Sequence, residues 1–284
     1  MYQLQAQASN VKQLDIMLPE IIAQRAARMR LNILDMLTKA KSSHLGCSFS
    51  VVDILAVVYH SFLNIQSIKQ QRLDRDYFIL SKGHSAAALY TALASAGIIP
   101  EEILSTHYQD GSVLCGHPMK GALPGIESST GSLGHGLSLG VGLALAAKHN
   151  KQNNKICVLV GDGECQEGSI WEAVTMAARF KLNNLTVIVD YNNLQGLDVT
   201  DDVMPGTFEE KFKAFACNPI SVDGHNIEAL LAAFAQTGKT DKPDIIVART
   251  HKGHGVSFIE DKIEWHYKSF SPEQFSRAHK ELCP

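Results

Sequence analysis

Two short runs carry the residue types of a metal–phosphate site. Gly161-Asp162-Gly163-Glu164 closes one apolar stretch, and Asp190-Tyr191-Asn192-Asn193-Leu194 closes another. Asp162 offers a carboxylate, Asn192 an amide oxygen and Leu194 a backbone carbonyl, all hard oxygen donors suited to Mg²⁺ or Ca²⁺. Three donors do not fill such an ion's shell, so it would share its remaining positions with phosphate oxygens and water. The flanking glycines let backbone N–H groups approach a phosphate closely. Alone, each run is an ordinary strand-end turn. Their placement at the ends of two successive strands makes the pair informative. The first run is no dinucleotide fingerprint, because Gln166 stands where the third glycine would.

The second chemical resource is histidine, of which the chain has twelve. His44 lies in Ser43-His44-Leu45-Gly46, His84 in Ser81-Lys82-Gly83-His84, His117 in Gly116-His117-Pro118, and His266 follows Trp265. Imidazole titrates close to working pH, so it can hold a hydroxyl or relay a proton. His135, His149, His225 and His279 read as structural, while His251 and His254, on either side of Lys252-Gly253, stay open between the two roles. Glu167 sits where a helix begins, a place that favours a carboxylate for its own sake.

The elements that must position these residues follow from periodicity. Pro19 opens a helix with Ile22, Ala26, Met29, Ile33 and Leu37 on one face. Residues 50–63 read as a second, very apolar helix. Tyr77–Leu80 is a short strand that runs into the His84 turn, followed by an Ala-rich helix to about Gly97. From Cys115 to Gly136 runs a Gly/Ser/Pro/His loop, long enough to suggest a functional one. A small-residue helix covers 137–149. Lys155–Val160 and Leu185–Asp190 are strands flanking a helix from Ser169 to Lys181, a βαβ unit. Pro219–Val222 and Asp244–Ala248 extend the sheet, and a polar helix follows Ser271. The expected fold is a doubly wound, mostly parallel α/β sheet with helices on both faces, the ligand lying at the carboxyl edge of the strands. It is read as one domain over residues 1–284 with an N-terminal helical extension.

The bulk composition narrows the function. The chain has 284 residues, 45% of them hydrophobic, and a net charge of −3. It carries no basic stripe for nucleic acid and no apolar window long enough to span a membrane. The polar start, MYQLQAQASN, has no signal-peptide core. Six scattered cysteines without a CxxC pair point to a reduced, cytoplasmic protein.

Taken together, the GDG and Asn-Asn runs resemble the signature of thiamine-diphosphate enzymes, and GDGECQEGSIWEA is similar to transketolases in particular. The resemblance covers nearly the whole chain. It takes in the His44 and His84 turns, Gly116-His117-Pro118 with Leu123-Pro124-Gly125, Thr130-Gly131-Ser132-Leu133-Gly134, and Trp265-His266. It implies transfer of a two-carbon ketol unit from a ketose phosphate to an aldose. Asp162, Asn192 and the Leu194 carbonyl would hold the metal. His84, Gly163, Glu164, Lys252 and His266 would bind the diphosphate, and Gly131, Ser132 and Leu133 the rings of the cofactor. His44, His84, His117 and His266 would serve catalysis, and Glu167 would couple two cofactor sites across a subunit interface.

The resemblance also carries an expectation about partners. Transketolases of the usual kind are more than twice this length, and the pyrimidine-binding and C-terminal domains of the family find no counterpart here. The chain is therefore either a subunit of a split enzyme or a truncated piece of a longer one, and the first reading, with a C-terminal transketolase subunit in an α₂β₂ assembly, is the expectation. Leu45, His135, Tyr267 and His254 depart from the family pattern, which leaves room for a modified sugar as donor. Two alternatives remain: a subunit of another thiamine-diphosphate enzyme (a 2-oxo-acid dehydrogenase or a deoxyxylulose-phosphate synthase relative), and a non-catalytic regulatory subunit.

Overall fold

Strands that are apolar at every position need cover on both faces, and the structure supplies it. The computed structural model describes residues 17–283; the polar first ten residues and the outermost ends of the 1–284 span lie outside it. Five strands form one parallel sheet in the order β1-β2-β3-β5-β4: β1 Tyr77–Leu80, β2 Ile156–Gly161, β3 Leu185–Tyr191, β4 Asn218–Asp223 and β5 Asp244–Arg249. Along β2, Cys157 and Leu159 face one core while Ile156, Val158 and Val160 face the other. That alternation is hidden in the sequence because both faces are apolar.

The first core lies under α1 Pro19–Lys39, α2 Leu45–Ser50, α3 Val52–Val57, α4 Ile65–Lys69 and α5 Ala86–Ser95, with α10 Ile227–Phe234 and α11 Pro272–Leu282 closing it. The helix α1 is no appendage, since Ile22, Ala26, Met29 and Ile33 are all fully buried there. The second core lies under α6 His135–His149, α7 Gly168–Arg179 and α9 Phe208–Ala214; the short α8 Thr200–Val203 sits in the loop after β3. Side-chain caps start several helices: Thr207 for α9, Asn226 for α10, and a full capping box at Ser271 for α11.

One expected element changes. The helix read at 50–63 starts earlier, at Leu45, breaks at Val51 and finishes as a π-helical turn over Val58–Phe62. The break turns Asp53 and the Leu45–Ser50 turn toward different partners, a point that matters below. Between Thr106 and His135 the chain forms neither helix nor strand, as the loop reading anticipates. No helix among the described residues is long and apolar enough to cross a membrane.

Candidate active site

The carboxyl ends of β1, β2, β3 and β5 open into one cleft of about 320 Å³. Parallel strands all point their ends the same way, so loops far apart in sequence meet there. From β1 come Lys82 and His84; from β2, Asp162, Gly163 and Glu164; from β3, Asn192 and Leu194; from β5, Lys252. Leu133, His266 and Tyr267 add to the wall, with Cys47 and Gln195 among its other members.

The three expected metal ligands all line this cleft. Asp162 is buried, its oxygens accepting the Gly163 N–H at 2.8 Å and the Thr200 hydroxyl at 3.1 Å. Asn192 gives its amide N–H to Asp190 at 3.0 Å, which turns its carbonyl oxygen the other way, where it accepts the Leu194 N–H at 3.1 Å. The Leu194 carbonyl accepts Lys252 Nζ at 3.4 Å. Burial and the neighbouring Asp190 push the Asp162 carboxyl up to about 7, against the pull of Gly163, Lys82 and Thr200. A carboxylate this buried and this poorly compensated, ringed by further oxygen donors, fits a divalent cation.

Beneath the ring lies an ion pair that the sequence reading did not single out. Lys82 bonds Asp190, both fully buried, and Asp190 also accepts the hydroxyls of Ser50 and Thr250. Burial alone would raise the Asp190 carboxyl, but Lys82 and these donors hold it below its ordinary value. The signal was thin: a lysine in a Ser-Lys-Gly-His turn looks solvated, and its partner is a strand away. Glu164 is also used differently from expectation. It lines the cleft, yet its carboxylate ties three loops together, accepting Ser81 Oγ, the Gly134 N–H at 2.8 Å and the Gly161 N–H at 3.0 Å.

The four histidines of the sequence reading converge. The ring centroids of His44 lie 5.4 Å from His84, 6.3 Å from His117 and 5.2 Å from His266, and His84 lies 5.4 Å from His266. His44 takes a left-handed backbone (φ 72°), and its N–H bonds the His266 carbonyl at 3.1 Å, so the first and last histidine turns are tied directly. Gly131, at φ 150°, lets the 129–134 loop pass against His117; a Cβ there would lie 3.1 Å from that ring. Ser132 and Gly131 are exposed at the rim, with Leu133 turned into the cleft.

Electrostatics keeps the rings of His44, His84 and His266 uncharged. Burial, then His117, Lys252 and Lys82, lowers His44 to about 4. Burial, then Lys252, takes His266 to about 3, and burial with Lys82 takes His84 well below its usual value. Lys252 is only 1% exposed; its Nζ donates to His266 Nδ1 at 3.0 Å, and burial lowers its own pKa. The cleft therefore presents two ammonium groups, Lys82 and Lys252, beside the neutral imidazoles of His84 and His266: a cradle for an anion.

The remaining residues lie at the edge of that centre or beyond it. Glu167 is exposed and precedes α7 without capping it by its side chain. His135 is exposed and opens α6, with Nδ1 3.2 Å from the Leu133 carbonyl oxygen. Tyr267 is exposed at the mouth of the cleft, its ring 4.6 Å from that of His266. His225, His251 and His254 stack on one another away from the cleft.

Residues 22–282 match a family described as "Transketolase, thiamine diphosphate binding domain". The chain is 40% identical over 259 residues to an apulose-4-phosphate transketolase subunit from Actinobacillus succinogenes, covering 91% of this chain and 94% of that one. It is 37% identical over 251 residues to the 6-deoxy-6-sulfo-D-fructose transketolase subunit of a Clostridium species, covering 88% and 91%. Among solved structures, the transketolase from Campylobacter jejuni matches with a TM-score of 0.85 at 31% identity. That match covers 93% of this chain and 43% of the longer enzyme.

Proposed function

The chain belongs to the transketolase family, and on that premise we propose that it is the diphosphate-binding subunit of a split transketolase. With a C-terminal, pyrimidine-binding partner, in an α₂β₂ assembly, it moves a two-carbon ketol unit from a ketose phosphate to an aldose. The observation that carries this reading is that His84 and His266 line the same cleft as Asp162, Asn192 and Leu194, and His44, with His117 beside it, packs against both rings.

Thiamine diphosphate, when bound, supplies the electron sink for breaking and remaking the carbon–carbon bond beside a ketone. The chain's own residues do the holding. Asp162, Asn192 and the Leu194 carbonyl hold Mg²⁺ or Ca²⁺. The Gly163 N–H, His84, Lys252 and His266 hold the diphosphate, with Glu164 fixing the loops around it. Gly131, Ser132 and Leu133 line the ring end of the cofactor. His44 and His117, with His84 and His266, hydrogen-bond sugar hydroxyls and pass protons between them; the neutral state of His44 and His84 leaves each ring a lone pair with which to accept. Glu167 couples the two sites of the assembly. The two relatives are named for apulose 4-phosphate and 6-deoxy-6-sulfofructose, which supports a modified sugar as donor alongside the pentose phosphates. The proposed location is the cytoplasm, which six free cysteines support.

The test is ketol transfer from xylulose 5-phosphate to ribose 5-phosphate with thiamine diphosphate and Mg²⁺, using the chain alone and with the product of a neighbouring reading frame. Activity is expected only with the partner, and Asp162→Asn should lower it by about a hundredfold or more, since the metal would lose its one carboxylate. Turnover by the isolated chain would refute the subunit reading. Cofactor bound by the pair without reaction would move the donor to the modified sugars. No cofactor bound by the pair would refute the reading altogether.

A further inference from the structure

Beside the turns that follow β4 and β5, outside the lining of the cleft, Asp53, His225 and His254 bring their ligand atoms within 4.8 Å of one another, the donor set of a metal site. The hydrogen bonds give these atoms other work. Both oxygens of Asp53 bond the guanidinium of Arg30, one at 3.0 Å, and this pair is buried. His225 Nδ1 lies 2.8 Å from Asp53 Oδ2, and its Nε2 accepts the backbone N–H of His251 at 2.8 Å. A ring that donates from one nitrogen and accepts at the other has no lone pair left for a metal. Its tautomer is fixed by these two partners. The His254 ring stacks on it, centroids 3.6 Å apart.

What the His225–His251 bond holds is the segment that enters the cleft. The chain leaves β5 at Arg249, and Thr250 is anchored by its hydroxyl to Asp190. The next backbone N–H is the one bonded to His225, and the next side chain is Lys252, buried with its Nζ between Leu194 and His266. Gly253 is then fixed by its N–H to the Gly46 carbonyl at 2.9 Å. Two turns are thus zipped together: the one after β4, where Gly224 N–H bonds the Arg249 carbonyl at 2.7 Å, and the one after β5. The edge strand β4 sends no residue into the cleft, yet its turn sets the path of the peptide next to Lys252.

We propose that His225, its tautomer set by Asp53, is a positioning residue that holds the Lys252 segment in register with the diphosphate cleft. This rests on the reading of Lys252 as a diphosphate contact. The geometry separates two functions that substitutions can separate too. Asn at 225 keeps an amide N–H at the position of Nδ1 for Asp53 but cannot reach His251. Gln places an acceptor near the position of Nε2 and keeps the His251 bond.

The experiment measures binding of inorganic diphosphate with Mg²⁺ to the full chain by calorimetry, together with hydrogen exchange of the His251 amide. His225→Asn should weaken diphosphate binding on the order of tenfold, the scale of one lost hydrogen bond to a buried site, and speed exchange at His251. His225→Gln should restore both to within about twofold. In a Lys252→Met background, where the contact is already gone, His225→Asn should cause no further loss. Unchanged binding and exchange in His225→Asn would overturn the proposal. So would equal loss in the Asn and Gln variants, which would mark a purely structural role. If the wild-type chain binds no magnesium diphosphate, the proposal and the diphosphate reading fall together; wild-type binding that His225→Asn leaves intact overturns this proposal alone.

Discussion

A histidine can grip a sugar hydroxyl through a free lone pair only while its ring is uncharged, and the cleft enforces that by burial and by two lysines. His44 and His266 hold to about 4 and about 3, below the 6.5 of a free imidazole. In the unfolded chain the same rings take up protons below about pH 6.5, which the folded rings refuse, so acid favours unfolding. Their stabilising contribution is complete above about pH 6.5 and drains away as pH falls toward 4. Asp53 is separated from this window. Burial would raise its carboxyl, but Arg30 and His225 bring it to about 2, and its contribution is lost only below its unfolded value near 4. Thermal melts should therefore show a fall in stability between pH 6.5 and 4.5, made shallower by His44→Asn and by His266→Asn; an unchanged slope in both would mean the rings are not held neutral. His44, His84, His117 and Asp162 were legible because each stands beside a glycine in a turn or at the end of an apolar run, whereas His266 was marked only by the Trp265-His266 resemblance. Lys82 and His225 were not, because their partners, Asp190 and Asp53, are remote in sequence and nothing local marks a buried charge.

At the scale of elements, the strands could be read from continuous apolar runs, and both ends of the βαβ unit fell within a residue or two of the structure. The failure at 50–63 has a physical cause: a segment buried on all sides has no periodicity to phase it, so a break at Val51 leaves no trace. The helices α9 and α10 went unread for a different reason: each spans about two turns, too short for a 3.6-residue period to stand out. Helix α6 offers the sharpest check on packing. A Cβ on Gly140 would come 2.4 Å from Val158 Cγ2, whereas Gly142 has nothing within 4 Å. Gly140→Ala should destabilise by about 1–3 kcal/mol through overpacking against β2. Gly142→Ala should stabilise the isolated chain by about 0.5–1 kcal/mol through helix propensity. Denaturant melts measure both; equal effects would mean α6 does not sit on the sheet as described.

At the scale of the whole molecule, the open side of Gly142 belongs to an apolar outer surface. Leu139 on α6, Met176 on the adjacent α7 and Phe180 just past its end are exposed, and Glu167 lies at the start of α7. On the proposed assembly, this is the face the partner would cover. Leu139→Asp with Met176→Glu should leave the melting temperature of the isolated chain within a few degrees while abolishing assembly with the partner in sedimentation velocity. Assembly that survives the double substitution would put the interface elsewhere. The parallel sheet has one more consequence, which concerns time. Strand β1 pairs with β2, and the His44 turn is tied to His266 and, through Gly46, to Gly253. On a ribosome, Leu80 emerges well before Ile156, and His44 before His266, and at about 5–20 residues per second the waits run from several seconds to most of a minute. Until β2 arrives, β1 is an unpaired strand, and until the last histidine turn arrives the cleft lacks its His266 wall. The complete cleft thus forms only late in synthesis, and until then the open edge of β1 is the surface most exposed to mispairing.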